Sequence, residues 1–123
     1  MLTEEIPRKE WASFFNGFSR RHKGWLVTVE VLGPDVGDQI EARELPLEGI
    51  TAELRDSGQD QIEIFVGARP DSHVSHKITA PEHVYLKRSE QGADEALEIA
   101  SKDIAALIRF RSAVPPETVD GVV

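Results

Sequence analysis

The stretch that decides the fold is G-W-L-V-T-V-E-V-L-G, which runs from Gly24 to Gly33. In an extended strand every second side chain points to the same face of the sheet, and one face of this stretch is wholly apolar. Its members are Trp25, Val27, Val29 and Val31. The opposite face mixes apolar and polar residues, and a glycine stands at each end. The pattern predicts a central strand of a small, largely antiparallel sheet.

The segment before this strand, Pro7 to Lys23, is predicted to form one amphipathic helix. Aromatic side chains recur there at the i, i+3, i+4, i+7 spacing that makes a single stripe, namely Trp11, Phe14, Phe15 and Phe18. We expect this stripe to be buried against the sheet rather than docked on a membrane or a partner. His22 follows two arginines near the end of the helix, where the helix dipole favours cations, and is expected to be a solvated cap.

The chain after Gly33 alternates short strand patterns with loop residues. The predicted strands are Gln39 to Leu45, Ile50 to Arg55, Ile62 to Val66, His73 to Thr79 and His83 to Ser89. Pro46 to Gly49 is expected to form a turn between the first two of them.

The strand from Gln39 to Leu45 alternates only weakly, with Ile40 and Ala42 opposed to Glu41 and Arg43. Such a pattern is typical of an exposed edge strand, which presents unpaired backbone groups to another chain. We therefore expect an interaction edge here. Its candidate residues are Gln39, Glu41, Arg43 and Leu45.

The segment from Ala96 to Ser112 fits two structures. As a helix its apolar residues share one side, and its alanines favour that state. As a hairpin, S-K-D forms the turn, Arg109 and Arg111 face solvent, and four apolar residues point inward, namely Leu97, Ile99, Ile108 and Phe110. Periodicity alone does not separate the two. Residues 113–123 contain two prolines and a glycine and are expected to form an extended or disordered tail.

Composition is that of an ordinary globular protein, with 123 residues, 40% hydrophobic and 29% charged. One domain over residues 1–112 is expected. No apolar run approaches the roughly 18 residues that span a bilayer, and the acidic N-terminus is unlike a secretory signal. The chain has no cysteine, which excludes disulfides and thiolate chemistry and fits the reducing cytoplasm.

The net charge of −8 is concentrated in residues 25–60, which carry nine acidic and two basic side chains. Nucleic-acid binding draws on a basic surface that this chain lacks as a whole, so no nucleic-acid partner is expected. An acidic surface serves solubility or a basic partner. These features favour a soluble, acidic protein with no membrane contact.

Four segments together resemble a known family. They are E-W-A-S-F-F-N-G-F-S-R-R-H-K-G-W-L-V-T-V-E from Glu10, E-A-R-E-L-P-L-E-G-I from Glu41, A-D-E-A-L-E-I-A-S-K-D from Ala93 and L-I-R-F-R-S from Leu107. The pattern is similar to a family of small bacterial proteins catalogued only as a domain of unknown function. The resemblance runs from about Pro7 to Ser112 and implies no activity and no catalytic residue. It implies a turn near Lys102 and Asp103, which favours the hairpin.

Three histidines, His73, His76 and His83, are close together in the sequence near Asp71. Converging histidine and aspartate side chains bind metals. His73 and His76 are an odd number of residues apart, however, so in one strand they point to opposite faces. We therefore expect no metal and no cofactor. An alternative function is a small-molecule pocket or active site, which His73, His76, His83 and Tyr85 would line.

Acidic residues could also supply a carboxylate pair for general acid–base catalysis. The candidates are Glu41, Glu44, Glu48 and Glu53. Their scattered positions favour a solvated acidic face instead. The glycines form no phosphate-binding loop, and there is no G-x-S-x-G motif.

The sequence therefore predicts an α+β fold, with an N-terminal amphipathic helix followed by a mostly antiparallel sheet that curls toward a small barrel of SH3-like or Sm-like type. The function expected first is a non-catalytic interaction or structural module, which binds a second copy of itself or another protein.

Overall fold

The computed structural model describes residues 2–34, 37–55, 59–67 and 73–110. One helix, α1 (Trp11–His22), follows a single 3₁₀ turn at Arg8–Glu10. The eight strands are β1 (Leu2–Glu5), β2 (Leu26–Gly33), β3 (Gly37–Glu53), β4 (Gln61–Val66), β5 (Val74–Thr79), β6 (His83–Arg88), β7 (Asp94–Ala100) and β8 (Ala105–Phe110). The predicted C-terminal tail, residues 113–123, lies outside the described residues.

All eight strands belong to one antiparallel sheet in the order β1-β6-β7-β8-β2-β3-β4-β5. Strands β5 and β6 stand near opposite ends of this order, yet only residues 80–82 connect them. The sheet must therefore curl strongly to bring its ends within reach of so short a connection. No pairing among the described strands closes it, so the predicted α+β fold with a curled sheet is confirmed as an open sheet.

The central position of β2 is confirmed, because it pairs with β3 on one side and with β8 on the other. Val27, Val29 and Val31 are buried as predicted. Trp25 precedes the strand and is 40% exposed. Its ring packs against Phe110, the cross-strand partner of Val27, at the margin of the same face. Gly24, with φ of 88°, turns the chain from α1 into this strand at a backbone angle that L-residues rarely adopt.

The aromatic stripe of α1 is buried in the same core as the inner faces of the sheet. Trp11, Phe15 and Phe18 are at most 1% exposed, and Phe14 is half-buried at the margin of the core. Trp11 also donates its indole N–H to the carbonyl oxygen of Ile6 at 2.9 Å. The helix therefore covers the sheet, as predicted, and its arginines face outward.

Strand β3 is longer than predicted, because the expected turn at Pro46 to Gly49 does not form. Its first half pairs with β2, and its second half, from Leu47, pairs with β4. A register shift between Leu47 and Gly49 marks the change of partner. Proline and glycine are found at bulges as well as in turns, and here they accompany a bend within one strand.

The prediction that Ile40 and Ala42 share one face of the strand is wrong. Ala42 pairs with the buried Val29, whereas Ile40 pairs with Glu30 and is 44% exposed. A register shift between these two pairs adds one residue to β3 and moves the following side chain to the other face.

The hairpin of β7 and β8 is confirmed, and the helical alternative is wrong. Leu97, Ile99 and Ile108 are fully buried, and Arg109 is exposed. The turn is closed where the Ser101 N–H donates to the carbonyl oxygen of Ile104 at 2.7 Å. Arg111 lies outside the described residues.

Strand β1 has no counterpart in the predictions. It lies at one end of the sheet with all four residues exposed, and it pairs with β6. Ion pairs hold it there, from Glu4 to Arg88 at 2.9 Å and from Glu5 to His83 at 2.8 Å. Among the described helices, none is long and apolar enough to cross a membrane.

Candidate functional site: the free side of strand β3

The first half of β3, Gly37 to Leu45, is bonded to β2 on one side only. The described pairings of β3 with β4 begin at Leu47. Among the described strands, therefore, none pairs through backbone hydrogen bonds with the other side of this half. Gln39, Glu41, Arg43 and Leu45, the residues predicted to form an interaction edge, all belong to it.

The second half of β3 shows how such a side can be covered. Ser19 on α1 places its hydroxyl between the backbone groups of Ile50, where Ser19 Oγ accepts from the Ile50 N–H at 2.9 Å. The same oxygen lies 3.2 Å from the carbonyl oxygen of Ile50, to which the hydroxyl donates. The helix thus satisfies both backbone groups of Ile50, which lies beyond the bend of β3.

Apart from the second half of β3, where Ser19 of α1 bonds to Ile50, three strand sides have no described partner strand, and the one on the first half of β3 is the longest. β1 offers four residues and β5 six, whereas Gly37 to Leu45 offers nine. Because main-chain hydrogen bonds accumulate along a strand, the longest free side has the greatest capacity to bind an extended segment.

Two bulges interrupt the pairing of β2 with β3 along this half. At the second, Glu44 has φ of 49°, in the left-handed region, and its N–H donates to the Thr28 hydroxyl at 3.3 Å. Bulges increase the local twist and blunt a strand against indiscriminate pairing. The exposed charges of Glu41, Arg43 and Glu44 act in the same direction.

A shallow cleft of about 400 Å³ adjoins the second bulge. Its lining residues are Thr28, Glu30, Arg43, Glu44, Arg109 and Phe110. Arg109 Nε lies 3.0 Å from Glu30 Oε1, so two of the charges that line the cleft neutralise each other. The cleft therefore extends the surface beside the free strand side with polar groups of both signs.

The histidines predicted as an alternative pocket each lie beside a different carboxylate. His73 contacts Glu48, and His76 Nδ1 lies 3.8 Å from Glu41 Oε1. His76 shares the inward face of β5 with Val74 and Ile78, as its position in the strand predicts. The gap that His76 lines beside β3 is too small to hold a water molecule.

His83 and Tyr85 lie on β6, near the other end of the strand order. Their rings stack with centroids 5.7 Å apart, and His83 Nδ1 lies 2.8 Å from Glu5 Oε2. Over the described residues, no group of three or more histidine and acidic side chains could hold a metal ion. Asp71 lies outside the described residues.

The four glutamates considered as catalytic carboxylates, Glu41, Glu44, Glu48 and Glu53, are all exposed on β3. Glu53 Oε1 lies 3.0 Å from the Arg55 guanidinium. The exposure of the four glutamates agrees with the predicted solvated acidic face.

His22, expected to be a solvated cap, is buried at 4% exposure. Its ring stacks on Phe18 and Phe110, with centroids 4.2 and 5.0 Å away, and Trp25 meets it edge-on at 4.6 Å. The sequence signal was present, since His22 continues the aromatic stripe four residues after Phe18.

A chain of polar contacts leads from His22 to β1. His22 Nε2 lies 3.0 Å from Asp94 Oδ2, and Arg88 bridges the other oxygen of Asp94 to Glu4. The register shift at the start of β7 inserts Glu95 and turns Asp94 toward the helix side of the sheet. This network joins α1, β1, β6 and β7.

Asp60 ties the start of the helical segment to the loop before β4. Arg8 donates two hydrogen bonds to this buried carboxylate, at 2.6 and 2.9 Å, and the Arg55 backbone N–H donates a third at 2.8 Å. These bonds, those from Arg8 first, lower the pKa of Asp60 to about 2 against the opposing effect of burial. The role is structural, since among the described residues the Asp60 carboxylate accepts only from Arg8 and Arg55.

Fold and site together define a small α+β protein. Over the residues that the structure describes, one helix covers an open antiparallel sheet, and one long strand side has no partner strand. The chain belongs to the family of unknown function DUF5335, whose model matches residues 2–118. The family resemblance predicted from the sequence is thus confirmed. An uncharacterized protein of Aquifex aeolicus (strain VF5) is 27% identical over 116 residues, which is 94% of this chain and 97% of that protein. No solved structure matches.

Proposed function

We propose that this protein is a non-catalytic interaction module that binds an extended segment of a partner chain along the free side of β3. One observation carries the proposal: Gly37 to Leu45 pairs with β2 on one side and with no described strand on the other. Addition of a strand satisfies the backbone groups of that side, and pockets or charges beside it provide specificity.

The side chains of this half suit a specific partner rather than general aggregation. Gln39, Glu41 and Arg43 are exposed, and Leu45 is half-buried where the strand bends. A docked strand that carries the wrong charge opposite Glu41 or Arg43 is disfavoured, because like charges in direct opposition destabilise a strand pair. A second copy of this chain, or another protein, can supply the strand.

We further propose that the protein works in the cytoplasm, which the absence of cysteine from the sequence supports. The alternative of a histidine-lined pocket gains no support, since His73, His76 and His83 each pair with a different glutamate.

Site-specific photo-cross-linking in the native cell tests the proposal. A photoreactive residue at Gln39 or Glu41 should yield discrete adducts, whose partner and contact segment mass spectrometry identifies. Thr51 is the matched control, because it is exposed on the same strand but lies in the half that α1 covers. The proposal fails if Thr51 yields the same adducts, or if neither edge position yields any.

Hydrogen–deuterium exchange then separates strand addition from mere proximity. With the identified partner bound, those amides of Gly37 to Leu45 that are not already bonded to β2 or to Thr28 should exchange more slowly, because an added strand accepts their hydrogen bonds. Protection confined to side-chain contacts elsewhere, with these amides unchanged, would contradict docking by strand addition.

A further inference from the structure

The outer face of the sheet is a second surface with no cover. On β6, β7, β8 and β2, alternate side chains enter the core beneath α1, and the remaining ones point away from it. Among the described elements, none packs over these outward residues. They are Thr28, Glu30, Leu32, Tyr85, Lys87, Ala96, Glu98, Ala100, Ala105, Leu107 and Arg109.

The registers arrange this outer face in rows of opposite charge. One row runs across the four strands as Tyr85, Glu98, Leu107 and Glu30. The next row runs as Lys87, Ala96, Arg109 and Thr28. The first is acidic and the second basic, and their charges alternate with apolar or small side chains.

Within one chain these rows are linked by two ion pairs. Lys87 Nζ lies 3.0 Å from Glu98 Oε1, and Arg109 Nε lies 3.0 Å from Glu30 Oε1. The side chain of Glu30 is 14% exposed, those of Lys87 and Glu98 are 28% exposed, and that of Arg109 is 58% exposed. The four charges of the two rows cancel, in a chain whose net charge is −8.

We propose that two copies of this chain pack outer face to outer face about a two-fold axis that runs parallel to the rows and between them. That operation sets the acidic row of each copy against the basic row of the other. Glu98 then faces the partner's small Ala96, with the partner's Lys87 and Arg109 about 5 Å to either side, the spacing of neighbouring strands. Glu30 likewise faces the partner's Thr28.

A second copy suits this face better than an unrelated partner for two reasons. The rows are their own complement under the two-fold operation, which is what an isologous interface requires. Two chains of charge −8 also repel each other over most of their surface, and this neutral face is where that repulsion is least.

The size of the face sets the strength of the association. Four strands about 5 Å apart and two rows about 7 Å apart cover roughly 300 Å² per copy, which is below the roughly 800 Å² per partner of a standard interface. We therefore expect a weak, reversible dimer that forms only at high concentration. The two surfaces share Thr28, Glu30 and Arg109, which also line the cleft beside β3. They act through different groups, because the free side of β3 offers backbone groups and this face offers side chains.

Two charge-reversal variants test the arrangement by sedimentation velocity up to about 1 mM. Lys87→Glu with Arg109→Glu makes both rows acidic, and Glu30→Lys with Glu98→Lys makes both basic. Each variant alone should remain a monomer where the wild type dimerises, and an equimolar mixture of the two should restore a dimer that contains one of each. The control is Lys9→Glu with Lys23→Glu, at exposed positions near α1. It lowers the net charge by as much as Lys87→Glu with Arg109→Glu does, and it should still dimerise.

A single cysteine gives an independent readout, because the chain has none of its own. A short bismaleimide should join two copies of Leu107→Cys, beside the axis, and should not join copies of Gln39→Cys. This measurement decides the matter even if a charge variant fails to fold. A wild type that stays monomeric, a mixture that does not associate, or linkage through Gln39 instead would overturn the proposal.

Discussion

The imidazole of His22 lies between two acceptors, with Nδ1 2.8 Å from the carbonyl oxygen of Phe18 and Nε2 3.0 Å from Asp94 Oδ2. A carbonyl oxygen and a carboxylate both accept hydrogen bonds, so a ring nitrogen that carries a hydrogen can donate to either neighbour. Arg88 lies 3.2 Å from the other oxygen of Asp94. A polar contact between helix and sheet thus lies inside an aromatic cluster.

Removal of this ring should cost about 3 kcal/mol or more. His22→Ala leaves a cavity among Phe18, Trp25 and Phe110 and deprives the partly buried Asp94 of one partner. Urea denaturation should show a lower midpoint at an unchanged slope. His83→Ala is the control, since its ion pair is half exposed and should contribute less than about 1 kcal/mol. Equal losses in both variants would contradict the structural role given to His22.

The aromatic stripe gives a graded prediction. Phe15 is fully buried, and Phe15→Ala should cost about 3–5 kcal/mol, a large part of the stability of a domain this size. Phe14 packs only at the margin of the core, so Phe14→Ala should cost clearly less. Thermal melting of the two variants measures the difference. The prediction is wrong if Phe14→Ala is the more damaging change.

Much of this fold follows from periodicity. The alternation of β2 and the helical stripe of α1 each place one apolar face in the core, so the period of the apolar residues was enough to predict both elements. The hairpin of β7 and β8 needed more, because its apolar residues fit both periods, and the family resemblance supplied the turn near Lys102.

The wrong predictions have two main causes. One extra residue in a strand moves the following side chains to the other face of the sheet, and the position of a residue within an apolar stripe can matter more than its polar type. A bulge separates Ile40 from Ala42, and bulges leave little trace in a single sequence. The bend in β3 uses proline and glycine that equally indicate a turn. His22 is polar by type but continues an apolar stripe by position. β1 is exposed throughout, and its side chains contact residues that are 78 and 84 positions away in the sequence.

Acid should weaken the fold through Asp60. Its pKa is lowered from 3.8 to about 2 in the folded protein, mainly by the Arg8 hydrogen bonds. A carboxyl with a depressed folded pKa contributes stability above its unfolded pKa and loses it as pH falls through the folded one. The loss should therefore occur between pH 3.8 and about 2. It should amount to at most about 2 kcal/mol, because the Arg8 side chain is half exposed and screened by solvent.

Denaturation as a function of pH measures this contribution. Asp60→Asn should be less stable than the wild type at neutral pH, and the gap should narrow in the acid window. Glu82→Gln, at an exposed position, should follow the wild-type profile. A constant gap between Asp60→Asn and the wild type at all pH values would show that charge at this site does not matter.

Ala80 and Gly92 form a matched pair for backbone strain. Both are exposed and lie in the left-handed region, with φ of 53° and 87°. That region costs an L-residue about 1–2 kcal/mol, whereas glycine adopts it freely and loses about 0.5–1 kcal/mol more entropy on folding. Ala80→Gly should therefore stabilise the protein by up to about 1 kcal/mol. Its N–H bond to the carbonyl oxygen of Asp60, 2.9 Å long, is unaffected by the change.

Gly92→Ala should have the opposite effect for the same reason. A Cβ at Gly92 would meet no atom within 4 Å, so any loss of stability comes from the backbone angle alone. Urea midpoints at constant slope should rise for Ala80→Gly and fall for Gly92→Ala. If both substitutions lowered the midpoint, the unfolded-state entropy of glycine would outweigh strain at Ala80. The left-handed backbone of Ala80, in the connection between β5 and β6, would then cost less free energy than its φ angle indicates.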